Sequence, residues 1–493
     1  MERGARVNIL LITLDQFRGD CLSIAGHPLA RTPNLDRLAA QGVRFARHYS
    51  QAAPCSPGRA SLYTGTYQLN HRVVANGTPH DRRLDNVAFA ARRAGYRPTL
   101  FGYTDQAVDP RDVADPADPR LLTYEGVLPG FDVGQLYSTH DPDWIHWLRG
   151  QRHQVPDDNE TALEGEPGRP EAHSLSAWQV GGLLDWIGGQ ASSWFAHLSL
   201  LRPHPPYAAA GRFAAMYDPG QMPDPIAPTP ERHRLHEALM RSAMGAPADA
   251  DTMRRLQAQY FGMIAEVDDQ LGRLWAALEA AGQWDDTFIL LTADHGEQLG
   301  DHGLIQKGGF FEGSYHIPCL VRDPRRPQAH GAVVERFTEN VDLLPTLCEA
   351  MGVPVPAQCD GAPLTPFLDG AAPPWWREAA HWEFDWRGAV IPRGPHPWPW
   401  DRRLERQSLA VLRTETQAYV QFADGDFRGF DLAVDPTWRT EITDPARLLL
   451  LAQAMLAWRA QHADRTLTGL LVENGGIGRW PDGLRLASSG RVG

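Results

Sequence analysis

The chain has 493 residues, 43% of them hydrophobic and 22% charged, enough for one large globular α/β domain and a smaller companion. A net charge of -13, from 60 acidic and 47 basic side chains, argues against a broad nucleic-acid surface but allows a local positive pocket. Five cysteines in no disulfide or zinc spacing point to a reducing compartment; no stretch has the pattern of a signal peptide or the length of a membrane span, so a cytoplasmic protein is expected.

Val7 to Leu14 is a continuous apolar run that predicts a buried parallel strand. It ends in Asp15-Gln16, at the sheet edge where open α/β folds bind ligands. Thr32-Pro33 opens a helix with Leu35, Leu38 and Ala39 on one face, and Val43 to Tyr49 is the next strand. It delivers the chain to Pro54-Cys55-Ser56-Pro57-Gly58-Arg59, with a short helical segment expected from Ser61 to Thr64. Asp85 to Ala94 reads as a helix closed by Gly95, Thr99 to Tyr103 as a strand, and 105–118 as an Asp- and Pro-rich loop. Residues 120–173 are expected as an irregular insertion over one face. Ser174 to Ile187 is amphipathic, and the strand Trp194 to Leu200 leads into Arg202-Pro203-His204-Pro205-Pro206. Met253 to Ala281 carries Tyr260, Ile264, Val267, Leu271, Leu274 and Leu278 at helical spacing, a core stripe. Thr287 to Leu291 is a central strand ending in Asp294-His295-Gly296-Glu297; Ile317 to Val321 is another, and Asn340 to Met351 is a helix capped by Gly352.

This alternation predicts an α/β fold with a mostly parallel sheet sandwiched by helices over residues 1–375. Residues 376–493, with hairpin signals between 408 and 432 and a helix from Asp444 to Gln461, predict a smaller α+β domain containing an antiparallel sheet. Its glycine-rich tail is expected to serve oligomerisation. Trp375, Trp376, Trp382, Trp386, Trp398 and Trp400 either wall an aromatic pocket or pack between the domains.

Several polar residues stand at strand ends. If the strands carrying Asp15-Gln16 and Asp294-His295 are neighbours, the four side chains converge on one divalent ion, with Ca2+, Mn2+ and Fe2+ all compatible. Arg59, four residues beyond Cys55, can approach the same point, and Lys307 in a glycine-flanked loop can reach a tetrahedral anion as a point charge. His204, between prolines, can donate to a leaving oxygen; Asn76 offers a hydrogen bond or a turn, and Tyr103 lines a pocket or packs the core.

Taken together, these motifs resemble the sulfatase family of the alkaline phosphatase superfamily. Cys55-Ser56-Pro57-Gly58-Arg59 matches the family's Cys-x-Pro-x-Arg signature, Asp15-Gln16 its first metal motif and Asp294-His295-Gly296 its second. The branch of bacterial phosphonate monoester hydrolases and cytoplasmic arylsulfatases is similar in Asn76-Gly77-Thr78-Pro79, Gly102-Tyr103-Thr104 and the run from Asp294 to His302. The resemblance implies an alkaline-phosphatase-like fold and conversion of Cys55 to formylglycine by a formylglycine-generating enzyme or its equivalent. It implies a metal held by Asp15, Gln16, Asp294, His295 and position 55, and an anion site lined by Asn76, Tyr103, His204 and Lys307. In such a site a hydrated formylglycine offers one hydroxyl to attack sulfur or phosphorus and a second to expel the product. Two positions depart from the pattern: Asp105 stands where the phosphonate enzymes lead one to expect a neutral hydroxyl residue, and Gly58 where a small hydroxyl residue or alanine is usual. Asp105 favours the sulfate reading, so the expected activity is hydrolysis of small aryl sulfate monoesters. Its alternative is a phosphonate monoester hydrolase or phosphodiesterase with sulfatase activity. A non-catalytic anion-binding protein would not need all these groups together. A homodimer or homotetramer is expected, without nucleic-acid or membrane partners.

Overall fold

The computed structural model describes residues 6–387, 405–464 and 466–468, with the backbone of 472–473 and 476–477. Trp398, Trp400 and most of the glycine-rich tail lie outside the described residues. In chain order the main strands are β1 (Asn8–Leu14), β2 (Val43–Tyr49), β3 (Ala52–Ala53), β4 (Pro98–Gly102), β5 (Asp132–Leu136), β6 (Phe195–Leu200), β7 (Thr287–Ala293), β8 (Cys319–Arg322), β9 (Ala332–Glu339), β10 (Ala379–Asp385), β11 (Ser408–Thr414), β12 (Gln417–Phe422) and β13 (Phe427–Asp431).

The first sheet has eight strands in the order β5-β4-β6-β1-β7-β8-β2-β9. All its pairings are parallel except the two made by β8. β1 and β7 are buried along their whole length, which is why both read as unbroken apolar runs. They are neighbours, with Leu14 opposite Ala293, so Asp15 and Asp294 leave the sheet side by side. The helix Ala250–Ala280 lays the expected stripe against one face, and helix Leu343–Met351 covers the other. Each fully buried aliphatic side chain in these layers contributes about 1.5–3 kcal/mol relative to exposure.

Local readings differ in several places, and β3 and β10 are strands that were not expected. β5 and β9 were not expected; both are partly exposed edge strands with mixed polar sequence, which lack an apolar run. The 120–173 insertion contains β5 and two short helices, Asp143–Gly150 and Asn159–Glu164. Their Trp144, Ile145, Leu148 and Leu163 pack with Tyr103 and Leu201 beside the strand ends. The helix expected from Ser61 begins at Cys55 itself and runs to Thr64. Pro57 is tolerated because it sits in the first turn, where its missing N–H has no intrahelical partner to lose.

The second sheet is antiparallel from β13 through β12 and β11 to β10, and it takes a short parallel edge strand, β3, from just before Cys55. Tryptophans pack the seam between the sheets. Trp382 is stacked between Tyr49 and Tyr315, with ring centroids 5.6 and 4.9 Å away, and its Nε1 donates to the Phe310 carbonyl at 3.3 Å. Trp376 and Trp386 are buried too, so packing is the role of these three, whereas Trp375 is 77% exposed. Among the described residues no helix is long and apolar enough to cross a membrane.

Trp382→Ala removes the ring shared by both sheets and should destabilise the fold by about 3–5 kcal/mol. Denaturant unfolding followed by near-UV and far-UV signals checks this. A loss confined to one of two separate transitions would show that the seam does not couple the sheets.

Candidate active site

The site lies where β4, β6, β1 and β7 end side by side. A ligand atom from each of Asp15, Cys55, Asp294 and His295 lies within 4.8 Å of all the others, and all four residues are buried. His295 Nε2 is 3.4 Å from Cys55 Sγ and 3.7 Å from both Asp15 Oδ1 and Asp294 Oδ1. Arg59 has no exposed side-chain surface. Its Nε donates to Asp294 Oδ2 at 2.9 Å and Nη2 to Asp15 Oδ2 at 3.2 Å; Nη1 donates to Ser199 Oγ at 2.8 Å and the Tyr103 carbonyl at 3.3 Å. Tyr103 donates its hydroxyl to Asp15 Oδ2 at 2.6 Å, and its ring lies 4.3 Å from the guanidinium. It therefore positions Asp15 and Arg59, a role between the two expected for it.

Gly58 has a local cause. A Cβ there would lie 2.5 Å from the Asp294 carbonyl oxygen and 3.0 Å from that of Ala52, so the helix start approaches β7 more closely than a side chain allows. Asn76 Oδ1 accepts from the Ser56 N–H at 3.0 Å and so satisfies one of the free donors of the Cys55–Thr64 helix.

Gln16 is bonded to the cluster and Lys307 to Gln16, while His204 and Asp105 stand within electrostatic reach of it. Gln16 donates its main-chain N–H to Asp294 Oδ1 at 3.1 Å. Its Oε1 accepts from Lys307 Nζ at 2.8 Å and its Nε2 donates to Glu297 Oε2 at 2.5 Å, an amide orientation fixed because lysine only donates and a carboxylate only accepts. His204 shares Nδ1 with the Pro205 carbonyl at 2.7 Å and lies in electrostatic reach of Lys307 and Asp15. Asp105 is 5% exposed and has a left-handed φ of 51°.

Two groups of consequence were not assigned from the sequence. Glu297 is fully buried and joins three loops: Oε1 accepts from the N–H groups of Leu299 at 2.7 Å and Gln306 at 2.5 Å, and Oε2 accepts from Gln16 and from the Tyr207 hydroxyl at 2.8 Å. Burial pushes its pKa up, but four donors leave no lone pair for a proton, and the geometry is that of a carboxylate. Its only sequence signal was its place in the Asp294-to-His302 run. Arg202, fully buried beside Glu166, donates to the carbonyls of His204 at 2.9 Å and Pro206 at 2.8 Å and so shapes the loop that carries His204.

The electrostatics call for a cation. Burial, and then the charge of Asp15, push Asp294 up to about 8. Burial would raise Asp15 as well, but the positive groups around it, Lys307 and Arg59 among them, hold it well below the usual range. The pair thus keeps one proton that a divalent ion would replace. Burial holds His295 neutral, as a metal-ligating imidazole must be. Burial, followed by Asp15, raises the Cys55 thiol well above its ordinary value, so a thiolate is disfavoured even at a helix start. Burial pushes Asp105 up to about 7 against the pull of Arg59, and lowers His204 to about 4 with help from Lys307. Lys307 stays charged because the acidic groups around it, Asp15 and Glu297 among them, outweigh its burial. Two carboxylates, a neutral imidazole and a buried sulfur position form a donor set that fits one divalent ion.

Divalent-ion binding at pH 7 is expected to release a proton from Asp294, and the release should fade above about pH 8. Calorimetry in buffers of different ionisation heat counts it; no release at pH 7 would mean that both carboxylates are already ionised. Glu297→Gln should turn an amide NH2 toward Gln16 and Tyr207, flip the Gln16 amide, and weaken divalent-ion affinity by about 10–100-fold. An unchanged titration midpoint would rule that role out.

Comparison with known proteins agrees with this geometry. The Sulfatase family model matches residues 7–353. The chain is 37% identical to the multifunctional alkaline phosphatase superfamily protein PehA of Trinickia caryophylli, over 94% of this chain and 97% of that one. It is 27% identical to an arylsulfatase of Clostridium perfringens, over 88% and 90%. It superposes on the crystal structure of the phosphonate monoester hydrolase of Agrobacterium radiobacter with a TM-score of 0.88 at 42% identity, over 97% of this chain and 100% of that one. With its metal-binding quartet at the ends of a mostly parallel sheet, this chain belongs to the sulfatase family of the alkaline phosphatase superfamily, and it is a hydrolase of that type.

Proposed function

We propose that the protein hydrolyses monoanionic phosphorus esters, namely phosphonate monoesters and phosphodiesters, in a divalent-metal-dependent reaction. One observation carries the reading: the buried quartet Asp15, Cys55, Asp294 and His295 stands in a chain 42% identical over nearly its whole length to a phosphonate monoester hydrolase. That likeness backs the phosphorus-ester alternative better than the aryl-sulfate activity first expected. Aryl sulfates are retained as a second substrate class because a sulfate monoester matches a phosphodiester in charge and shape, and because of the arylsulfatase likeness.

In this reading Asp15, Gln16, Asp294 and His295 hold the ion, with position 55 completing the set; Ca2+, Mn2+ and Fe2+ all suit it. The ion supplies Lewis-acid stabilisation of the transferred group, and formylglycine at position 55, made by a formylglycine-generating enzyme, supplies the oxygen nucleophile. A thiol buried between carboxylates is poorly suited to that task itself. Arg59 fixes Asp15 and Asp294 relative to position 55 and neutralises them. Lys307, charged at neutral pH, stabilises charge on the transferred group and protonates the departing oxygen. His204 is neutral until an anion arrives and shares that task once substrate charge raises its pKa. Asn76 holds the helix start, and Tyr103 holds Asp15.

Mass analysis of the peptide containing Cys55, from a host that makes formylglycine, should show aldehyde in place of thiol. kcat/KM should favour an aryl phosphonate monoester or a phosphodiester over the matching aryl sulfate by about tenfold or more. Unmodified cysteine with full activity would overturn the nucleophile, and an equal preference for the sulfate would return the first expectation.

A further inference from the structure

Asp105 is the acid of this site that the fold leaves without a partner. Asp15 is tied by Arg59 and Tyr103, Asp294 by Arg59 and two main-chain N–H groups, and Glu297 by four donors. Among the described residues, no hydrogen-bond donor or ion-pair cation meets the Asp105 carboxylate; only its main-chain carbonyl is bonded, by Gln106 Nε2 at 3.0 Å. The neighbouring cations reach it only through their charge. Arg59 donates to Asp294, Asp15, Ser199, Tyr63 and the Tyr103 carbonyl, and Lys307 donates to Gln16.

The placement of this carboxylate is built. Gln106 Nε2 also donates to the Ser56 carbonyl at 3.1 Å, and the Tyr103 carbonyl accepts from Arg59, so the turn bearing Asp105 is stitched to the helix start at Cys55. A left-handed φ at a residue other than glycine is kept there by that stitching. A second acid stands close: the Gln106 N–H donates to the Gly126 carbonyl at 3.1 Å, which brings Glu125 into electrostatic reach of Asp105. Buried charges are ordinarily paired, and a carboxylate next to an anion-binding centre repels the ligand unless a cation lies between. An ionised Asp105 therefore takes its partner from outside the fold.

We propose that Asp105 receives an ammonium group carried on a short arm of the substrate, so that the preferred esters are zwitterionic. This rests on the phosphorus-ester reading above and deepens it: the substrate class becomes monoesters of aminoalkylphosphonates. It also accounts for an acid at a position where the resemblance leads one to expect a neutral hydroxyl.

The test compares the 4-nitrophenyl monoesters of 2-aminoethylphosphonate and propylphosphonate, which differ at the end of the arm by ammonium for methyl. Wild-type protein should favour the ammonium ester in kcat/KM by about tenfold or more, and Asp105→Asn should bring the ratio to near unity whatever its absolute rates. Calorimetric titration of wild-type protein with free 2-aminoethylphosphonate and propylphosphonate should show the same preference and needs no turnover. A wild-type ratio near unity in both measurements overturns the inference even if the variant fails to fold. So does a preference that survives Asp105→Asn, which would place the ammonium elsewhere. Preferential binding of 2-aminoethylphosphonate with hydrolysis of neither ester would overturn the hydrolase reading and leave the assignment of Asp105 standing.

Discussion

A guanidinium with no exposed surface organises this active site. Arg59 must be satisfied entirely from inside the protein, and apart from Tyr63 on its own helix its partners come from the ends of four adjacent strands: the Tyr103 carbonyl after β4, Ser199 on β6, Asp15 after β1 and Asp294 after β7. Removing one member of such a buried set leaves an uncompensated charge, a loss of about 3–5 kcal/mol. The same contacts set the spacing of the two carboxylates that could share a metal ion. Stability and site geometry therefore rest on one side chain, which makes the register of the central strands a functional quantity.

Arg59 can take this position only because the helix that carries it is pressed against β7. Gly58 allows that approach, since a Cβ would collide with the Asp294 carbonyl oxygen. From the other side β3 pairs with β10, Ala52 opposite Glu383 and Ala53 opposite Phe384, so the second sheet holds the segment leading into Cys55. Trp382, between Tyr49 and Tyr315, locks that sheet to the residues around β2. The smaller sheet thus acts as a brace for the nucleophile turn, although its strands lie more than three hundred residues away in sequence.

Much of this was legible in the sequence wherever a strong local signal coincided with a strand end. β1 and β7 are long apolar runs, and the polar pairs after them could be placed at one edge without knowing the sheet order. What escaped was whatever depends on contact alone. β5 and β9 lie at the sheet edges with half-exposed, mixed sequences, which look like loop until a neighbour supplies the pairing. Glu297 looked like the end of a motif; its work is to accept four hydrogen bonds from residues up to 281 positions away. Tyr103 stands at a strand end as read, but the direction of its hydroxyl, toward Asp15, is a tertiary fact. Gly58 looked like a departure from a pattern until the Asp294 carbonyl beneath it gave the reason.

The charges of the site, counted together, bear on what it can accept. Once a divalent ion has replaced the proton of Asp294, the negative charges of Asp15, Asp294 and Glu297 face Arg59, Lys307 and the ion, and one positive charge remains. A monoanionic ester neutralises the remainder, whereas a dianionic phosphate monoester overshoots it. Asp105, when ionised, again leaves one negative charge in a volume from which solvent is largely excluded, where an unpaired charge is costly. Balance is restored either by keeping Asp105 protonated or by a positive group on the ligand. A protonated carboxyl would act as a hydroxyl does, and threonine would have served with no risk of ionisation. The choice of an ionisable acid at this position, with no cation bonded to it among the described residues, favours a positive charge arriving with the substrate.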